Sequence, residues 1–423
     1  MVFVLLLLVV LISLLTLNRQ TPVGAEAGEQ VARQILAEFG PSARVVIVAG
    51  PTVPDVAFAD AARKTLMSAD ASVLEQVNGS PADARQALSR AVDAGTPIDA
   101  IAATGDTARW TIYDRFTEVG HDKCRSPQTY YWPTFARLDN LLSVANQTAI
   151  YAIIAIGMTM VIITGGIDLS VGSLVALASV AAAILIRDVG SGTQSNVWGV
   201  GLAFLGAIGV CGLAGLFNGF MITRFQVPPF ITTLAMMMMA KGLALRLSAG
   251  ESISQVPATF RWIGGGTIMG IPNPVILMFV LYVLAHLVMS QSVFGRYVYA
   301  VGGNAEASRL SGVAVNRIRL AVYTICGALA GLGGIIQSSK LGTGDPKLGL
   351  MYELDVIAAV VVGGTSLMGG EGRIFGTLIG AFIIAVIKNG MNLMNIDSYD
   401  QQVVLGAVVM LAVLIDTLKR GQR

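Results

Sequence analysis

Charge is what this chain has least of. Of its 423 residues only 13% are Asp, Glu, Lys or Arg, about half the share of an ordinary soluble domain, which is near 25%. With 54% hydrophobic residues and a mean hydropathy of +0.70, that scarcity excludes a simple soluble globule. A net charge of +2 gives no argument for nucleic acid as a partner. Cysteine is nearly absent too: Cys124, Cys211 and Cys326 show neither paired nor metal-type spacing, so no disulfide framework and no zinc site is implied. The two histidines, His121 and His286, are far apart, and no metal is expected. Nowhere does Gly-x-x-x-x-Gly-Lys-Ser/Thr occur, so the chain lacks the loop that cradles nucleotide phosphates in the commonest ATPases.

What is abundant is long apolar sequence, and it divides the chain in three. Residues 2–17 form one apolar run, slightly short for a crossing, without a basic leader and without a small-residue cleavage site directly after it; it is read as an uncleaved first helix within a 1–19 segment. Residues 20–131 are soluble in character. Helical patterns over 26–39, 57–69 and 81–94 alternate with extended patterns over 43–49, 72–77 and 98–103, which argues for a parallel α/β unit. Tyr130, Tyr131 and Trp132 then read as an interfacial aromatic belt, and 132–423 as a membrane domain. Its apolar spans fall at about 144–164, 169–187, 197–223, 228–248, 273–290, 317–338, 355–369, 374–392 and 402–418, with Gly363–Gly372 interrupting the last third. The fold class is an all-α polytopic membrane protein of about ten transmembrane helices with a small extracytoplasmic α/β insert.

Basic residues set the sidedness. Arg224, Arg296, Arg309, Arg317, Arg319, Arg373, Lys419, Arg420 and Arg423 fall on one set of connections; the opposite set holds only Arg187, Arg246, Arg261, Lys340 and Lys347. The positive-inside rule makes the first set cytoplasmic and puts 20–131 outside. Forty-eight glycines suit close helix packing in lipid, and Gly206, Gly209, Gly212, Gly215 and Gly219 mark a packing stripe.

Three stretches carry possible chemistry. Gly165-Gly166-Ile-Asp168-Leu-Ser170-Val-Gly172-Ser173 puts a lone carboxylate and helix-breaking glycines between two apolar spans. An ionisable residue there is a functional-site hypothesis by default; the plainer reading is a helix cap in an inner turn, helped by Ser170 and Ser173. Glu353 and Asp355 open a later span, where the helix dipole favours acids. That span runs into Gly363-Gly364 in a pattern that echoes Val161–Leu174, a hint of the internal repeats from which transporters are built. Between Gln291 and Asn316, Gly302-Gly303-Asn304-Ala305-Glu306-Ala307-Ser308-Arg309-Leu310-Ser311-Gly312 reads as a short polar helix over 305–310 capped by Asn304.

These stretches, together with Val227–Leu234, resemble the permeases of sugar ABC importers of the ribose type, in the branched-chain amino acid and sugar permease superfamily. The likeness covers about 135–420. It implies a homo- or heterodimeric permease in the bacterial inner membrane, a cytoplasmic ABC ATPase that holds ATP and Mg while this chain holds no cofactor, and a periplasmic sugar-binding protein. Gly302, Gly303, Asn304, Glu306, Ala307, Arg309, Ser311 and Gly312 would seat in the ATPase. Gly165, Gly166, Asp168, Ser170, Gly172, Glu353, Asp355, Gly363 and Gly364 would be the family's structural signature. A neutral sugar needs hydroxyls and amides along its path, and Asn218, Thr232, Thr233, Asn389 and Asn392 are the candidates; each is equally a helix-packing hydrogen bonder. The insert departs from the family: Gly50–Asp55 and Asp99–Asp106 resemble a piece of the amino-terminal lobe of periplasmic sugar-binding proteins, too short for a whole lobe. Two rival classes stay open, a secondary transporter using Asp168, Glu353, Asp355 or Lys388 as an ion relay and a sugar-sensing receptor.

Overall fold

The computed structural model describes residues 1–116, 119–190 and 192–420. Arg423 lies outside them. The chain divides into two compact units: Met1–Thr16 with Pro133–Arg423, and Leu17–Trp132. It opens with α1 (Val2–Leu15), whose 14 residues rise about 21 Å.

The Leu17–Trp132 unit is built on strand alternation. Its elements run β1 (Leu17–Gln20), α2 (Gly24–Phe39), β2 (Arg44–Ala49), α3 (Val53–Met67), β3 (Ser72–Asn78), α4 (Pro81–Asp93), β4 (Ala100–Ala103), β5 (Cys124–Arg125) and β6 (Tyr130–Pro133). Four of the strands form a sheet in the order β3-β2-β4-β5, parallel at every pairing. Along β2 successive side chains turn to opposite faces. Val45, Ile47 and Ala49 pack under α2 and α3 with Ile35, Phe58 and Leu66; Val46 and Val48 pack with Leu88 of α4, Ile101 and Tyr113. Each crossover helix begins on a side-chain cap, Thr52 for α3 and a Ser80–Asp83 capping box for α4. Two parallel hydrogen bonds of 2.9 Å from Arg44 tie the start of β2 to Asp99 and hold the Asp99 carboxyl below the usual carboxylate range. The residues expected as an aromatic belt form β6, which pairs with β1; Tyr130, Tyr131 and Trp132 are exposed.

The second unit continues with α5 (Leu138–Ile163), α6 (Val171–Ile184, extended by a wider turn to Val189), α7 (Val197–Arg224), α8 (Pro229–Leu247), α9 (Ala258–Gly265), a hairpin of β7 (Thr267–Ile268) and β8 (Ile271–Pro272), α10 (Asn273–Gln291), α11 (Val293–Gly303), α12 (Ala305–Leu310), α13 (Val315–Leu341), α14 (Tyr352–Val362), α15 (Ile374–Leu393) and α16 (Ser398–Arg420). Among the described residues seven helices are long and apolar enough to cross a membrane: α5, α6 with its extension, α7, α8, α10, α13 and α15. The chain is a polytopic, mostly helical membrane protein. The other three expected spans correspond to α1, α14 and α16. The span placed at 355–369 is shorter than expected. It ends at Val362 because Gly363 and Gly364 follow, and its 11 residues rise about 16 Å, half of a ~30 Å hydrocarbon core.

Helix α13 is the centre of the unit. Small residues bring its neighbours in: a Cβ added at Gly215 of α7 would strike the Tyr323 carbonyl, and one at Gly219 would meet Leu320 at 2.9 Å. Of the glycine stripe on α7, Gly209 instead faces open space and Gly206 meets Leu185, so only part of the stripe is interhelical packing. Helices α14 and α15 meet in the same way, Gly380 against the Ala359 carbonyl and Gly363 against Gly376.

Candidate functional site

The site grows from two breaks in the helical ladder. The first lies between α5 and α6. Thr164 ends α5, Gly165 adopts φ +78°, and the chain runs unwound to Ser170. Asp168 and Ser170 in this stretch are fully buried. The carboxylate Oδ1 accepts from the Ser170 backbone N–H at 2.9 Å and from Ser170 Oγ at 2.6 Å. Asn218 Nδ2 of α7 donates to Ser170 Oγ at 3.2 Å, and Thr233 Oγ1 of α8 donates to the Ile167 carbonyl at 3.3 Å. Cys326, about 16 Å of helical rise from the start of α13, lies beside the carboxyl. The segment therefore dips back into the bundle, and α6 starts deep inside it. The sequence reading placed Asp168 in a turn near one membrane face with Ser170 and Ser173 capping α6. Asp168 itself does the local capping; Ser170 makes no side-chain cap bond.

The second break leads into α14. After Gly342 ends α13 in the left-handed conformation, residues 343–351 run as an irregular, turn-rich stretch beside α6. Backbone polar groups at such depth need partners inside the protein, and here they have them. Gly344 exchanges two backbone bonds with Ile253, at 2.8 and 2.9 Å. Ser338 Oγ donates to the Thr343 carbonyl, the Asp345 N–H donates to Ser179 Oγ, and Lys241 Nζ donates to the Pro346 carbonyl, at 2.7, 3.0 and 3.0 Å.

The two breaks meet. A Cβ at Gly172, in the first turn of α6, would collide with the Glu353 carboxylate and the Gly349 carbonyl, and one at Gly349 would collide with the Gly172 carbonyl. The amino termini of α6 and α14 thus converge. Their dipoles present positive ends to one another, and Asp168, Glu353 and Asp355 supply negative charge where it is favoured. Asp355 has a full partner: Lys388 Nζ of α15 lies 2.7 Å from both carboxylate oxygens and 5.6 Å from the Tyr151 ring, which packs on Tyr352 at 4.6 Å. Glu353 stays half-buried.

The loop expected to dock a partner forms as the spacing suggested. Asn304 breaks the helix after α11 and its Oδ1 accepts from the Ala307 N–H at 2.9 Å, opening α12. Ser311 Oγ donates to the Ala307 carbonyl at 2.9 Å, and Gly312 turns the chain with φ +84°. Glu306 and Arg309 point outward, 3.2 Å apart and 68% and 62% exposed. The base of the loop is locked into the bundle. Gly302 packs on the Ile163 carbonyl and beside the Gly370 N–H, where no Cβ fits; Gly303 keeps open space. Gly370 N–H donates to the Ile163 carbonyl at 2.8 Å, and Tyr299 Oη donates to the Gly372 carbonyl at 2.9 Å. One contact point thus joins the loop to the end of α5 and to the 363–373 turn.

The five path candidates separate into two groups. Asn218 and Thr233 touch the first break, with Thr232 next in chain and buried, its Oγ1 donating to the Pro228 carbonyl at 3.3 Å. Asn389 trades hydrogen bonds of 3.0 and 2.9 Å with Asn140, and Asn392 accepts from Gln401 at 2.7 Å, at the other end of α15. The sequence reading missed Ser179, Lys241, Tyr323 and Cys326. Lys241 carried a usable signal, an ionisable side chain in an apolar span; the others look like ordinary helix residues until the breaks are seen.

Residues 140–415 match the family described as branched-chain amino acid transport system / permease component. The chain is 42% identical over 292 residues to the ribose import permease protein RbsC of Escherichia coli (strain K12), covering 68% of this chain and 88% of that protein. It is 36% identical over 291 residues to the L-arabinose ABC transporter permease protein AraH of Azospirillum brasilense (69% and 84%), and 34% identical over 339 residues to the xylose transport system permease protein XylH of Escherichia coli (strain K12) (66% and 84%). No solved structure matches the chain.

Proposed function

Because the chain belongs to the sugar ABC transporter permease family, we propose that it is the membrane subunit of an ATP-driven monosaccharide importer in a bacterial inner membrane. It forms the translocation path with a second permease chain, identical or different. It receives sugar from a periplasmic binding protein and is driven by a cytoplasmic ATPase that holds ATP and Mg. The carrying observation is the loop 302–312: an outward-facing polar helix whose base at Gly302 is wedged between the end of α5, at the edge of the first break, and the 363–373 turn. A push on α12 reaches the end of α5 and the turn before α15 without a flexible joint between them.

The basic residues put α12, Arg224, Arg317, Arg319 and Arg373 on the cytoplasmic side. In this reading the chain crosses ten times, with α1, the irregular 343–351 stretch plus α14, and α16 added to the seven long helices. Helix α1 has Met1 near Gly364 and Ile12 against Gly390, which supports an inside start. The Leu17–Trp132 unit then lies outside, where it meets the binding protein. Its resemblance to part of a sugar-binding lobe supports that docking role. Asn218, Thr232 and Thr233 remain the path candidates, since they border the first break.

Purification of the chain from its own host with its neighbours attached tests the reading. An ATPase subunit should co-purify, and sugar uptake should stop on ATP depletion. Uptake that survives ATP depletion, with no ATPase bound, would establish a secondary transporter instead. Removing 25–125 should weaken uptake; loss of sugar signalling with uptake intact would make the chain a receptor.

A further inference from the structure

Three buried oxygens around the first break have no hydrogen-bond partner: Asp168 Oδ2, Asn218 Oδ1 and Tyr323 Oη. Their residues are at most 1% exposed. The hydrogen-bond order fixes which atoms are left over. Ser170 Oγ gives its proton to Asp168 Oδ1 and so accepts from Asn218 Nδ2, which leaves the Asn218 oxygen as an acceptor. Tyr323 Oη sits against Gly166 on the same unwound stretch. No Lys or Arg hydrogen-bonds or ion-pairs with Asp168 among the described residues. The neighbouring ionisable groups are Tyr323 and Cys326 of α13, the Cys326 thiol near enough to donate to the Asp168 carboxyl, with Glu353 of α14 across Gly172; Arg319 bears on Tyr323. The helix dipole offers Asp168 only a partial positive charge, and a carboxyl so deeply buried needs a full countercharge or a proton.

We infer that this pocket binds a monovalent metal cation of the sodium type, held by Asp168 Oδ2, Asn218 Oδ1 and Tyr323 Oη. All three ligands are hard oxygens, which select ions of this class over zinc or copper. A single unpaired carboxylate balances one positive charge. Unwound backbone and the carboxyl end of a half-helix are where transporters hold such ions, and this stretch follows the carboxyl end of α5. The bound ion would pin the start of α6 to α7 and α13 and so set the position of the junction with α14.

The test uses the full chain in nanodiscs, with sodium chloride exchanged for N-methylglucamine chloride at constant ionic strength and pH. The melting temperature should rise and saturate with sodium, because an ion that binds only the folded state stabilises it. Radiolabelled sodium should be retained by the wild type and lost in Asp168→Asn. Tyr323→Phe guards against a variant that fails to fold. Without an ion, removing an unpartnered buried hydroxyl leaves stability unchanged or improved; with one, it weakens the sodium response several-fold. A melting temperature blind to sodium, with no retained label, overturns the site and leaves a proton as the countercharge on Asp168.

Discussion

The two breaks solve one problem in opposite ways. Both take unwound backbone into the bundle, and both start a helix there. The Thr164–Ser170 break encloses its polar side chains: Asp168, Ser170 and Thr233 are buried, and Ser170 bonds Asp168 at 2.6 and 2.9 Å. The 343–351 break is open along one side: Leu350 is 75% exposed and Leu354 50%, and Glu353 is half-buried. The two share the Gly172–Gly349 contact, where neither backbone leaves room for a side chain.

Four experiments would break or sharpen that contrast. The largest effect is expected from Gly172→Val, which drives side-chain atoms into the Gly349 backbone and the Glu353 carboxylate; overpacking costs about 1–3 kcal/mol or more, and neither break can yield without unpairing backbone. Membrane yield and melting temperature should both fall sharply, and normal values for both would refute the junction. Next is Lys388→Met, which leaves Asp355 without its partner. Breaking a buried pair costs about 3–5 kcal/mol, and partial exposure of 31% and 20% reduces this to roughly 1–3 kcal/mol. The double variant with Asp355→Leu should recover much of the loss; a double variant no better than the single would mean the pair does not hold α14 to α15. Third, Gly302→Ala should lower uptake severalfold relative to the ATPase activity of the assembled transporter, while Gly303→Ala, facing open space, behaves as wild type. Equal effects of the two would remove the wedge. Smallest for the fold is Glu306→Lys or Arg309→Glu, an exposed pair whose loss should leave the melting temperature unchanged. These variants should nevertheless reduce uptake, and wild-type uptake in both would end the docking role of α12.

Much of this was written locally. Apolar runs placed the seven long helices within a few residues, Asn304 announced the cap of α12, Gly165-Gly166 announced the first break, and Gly363-Gly364 announced the early end of α14. Depth was not local. That Asp168 sits inside the bundle depends on Asn218, Tyr323 and Cys326, from helices far along the chain. The irregular 343–351 stretch reads as an ordinary connection, since its backbone is satisfied by Ser179, Lys241 and Ser338 on three other helices. The Asp355–Lys388 pair had no local signature for the same reason. In the Leu17–Trp132 unit the strands at 44–49 and 72–78 follow from alternation, whereas two-residue β5 is too short to carry a pattern.

The shortness of α14 also bears on how the protein is made. Its eleven residues, with two acids in the first turn, are too short to span a bilayer unaided. Insertion together with α15 would give Asp355 its partner Lys388. The two would then enter lipid as one hairpin, so a ribosome that stalls before Lys388 should leave α14 stranded at the membrane surface.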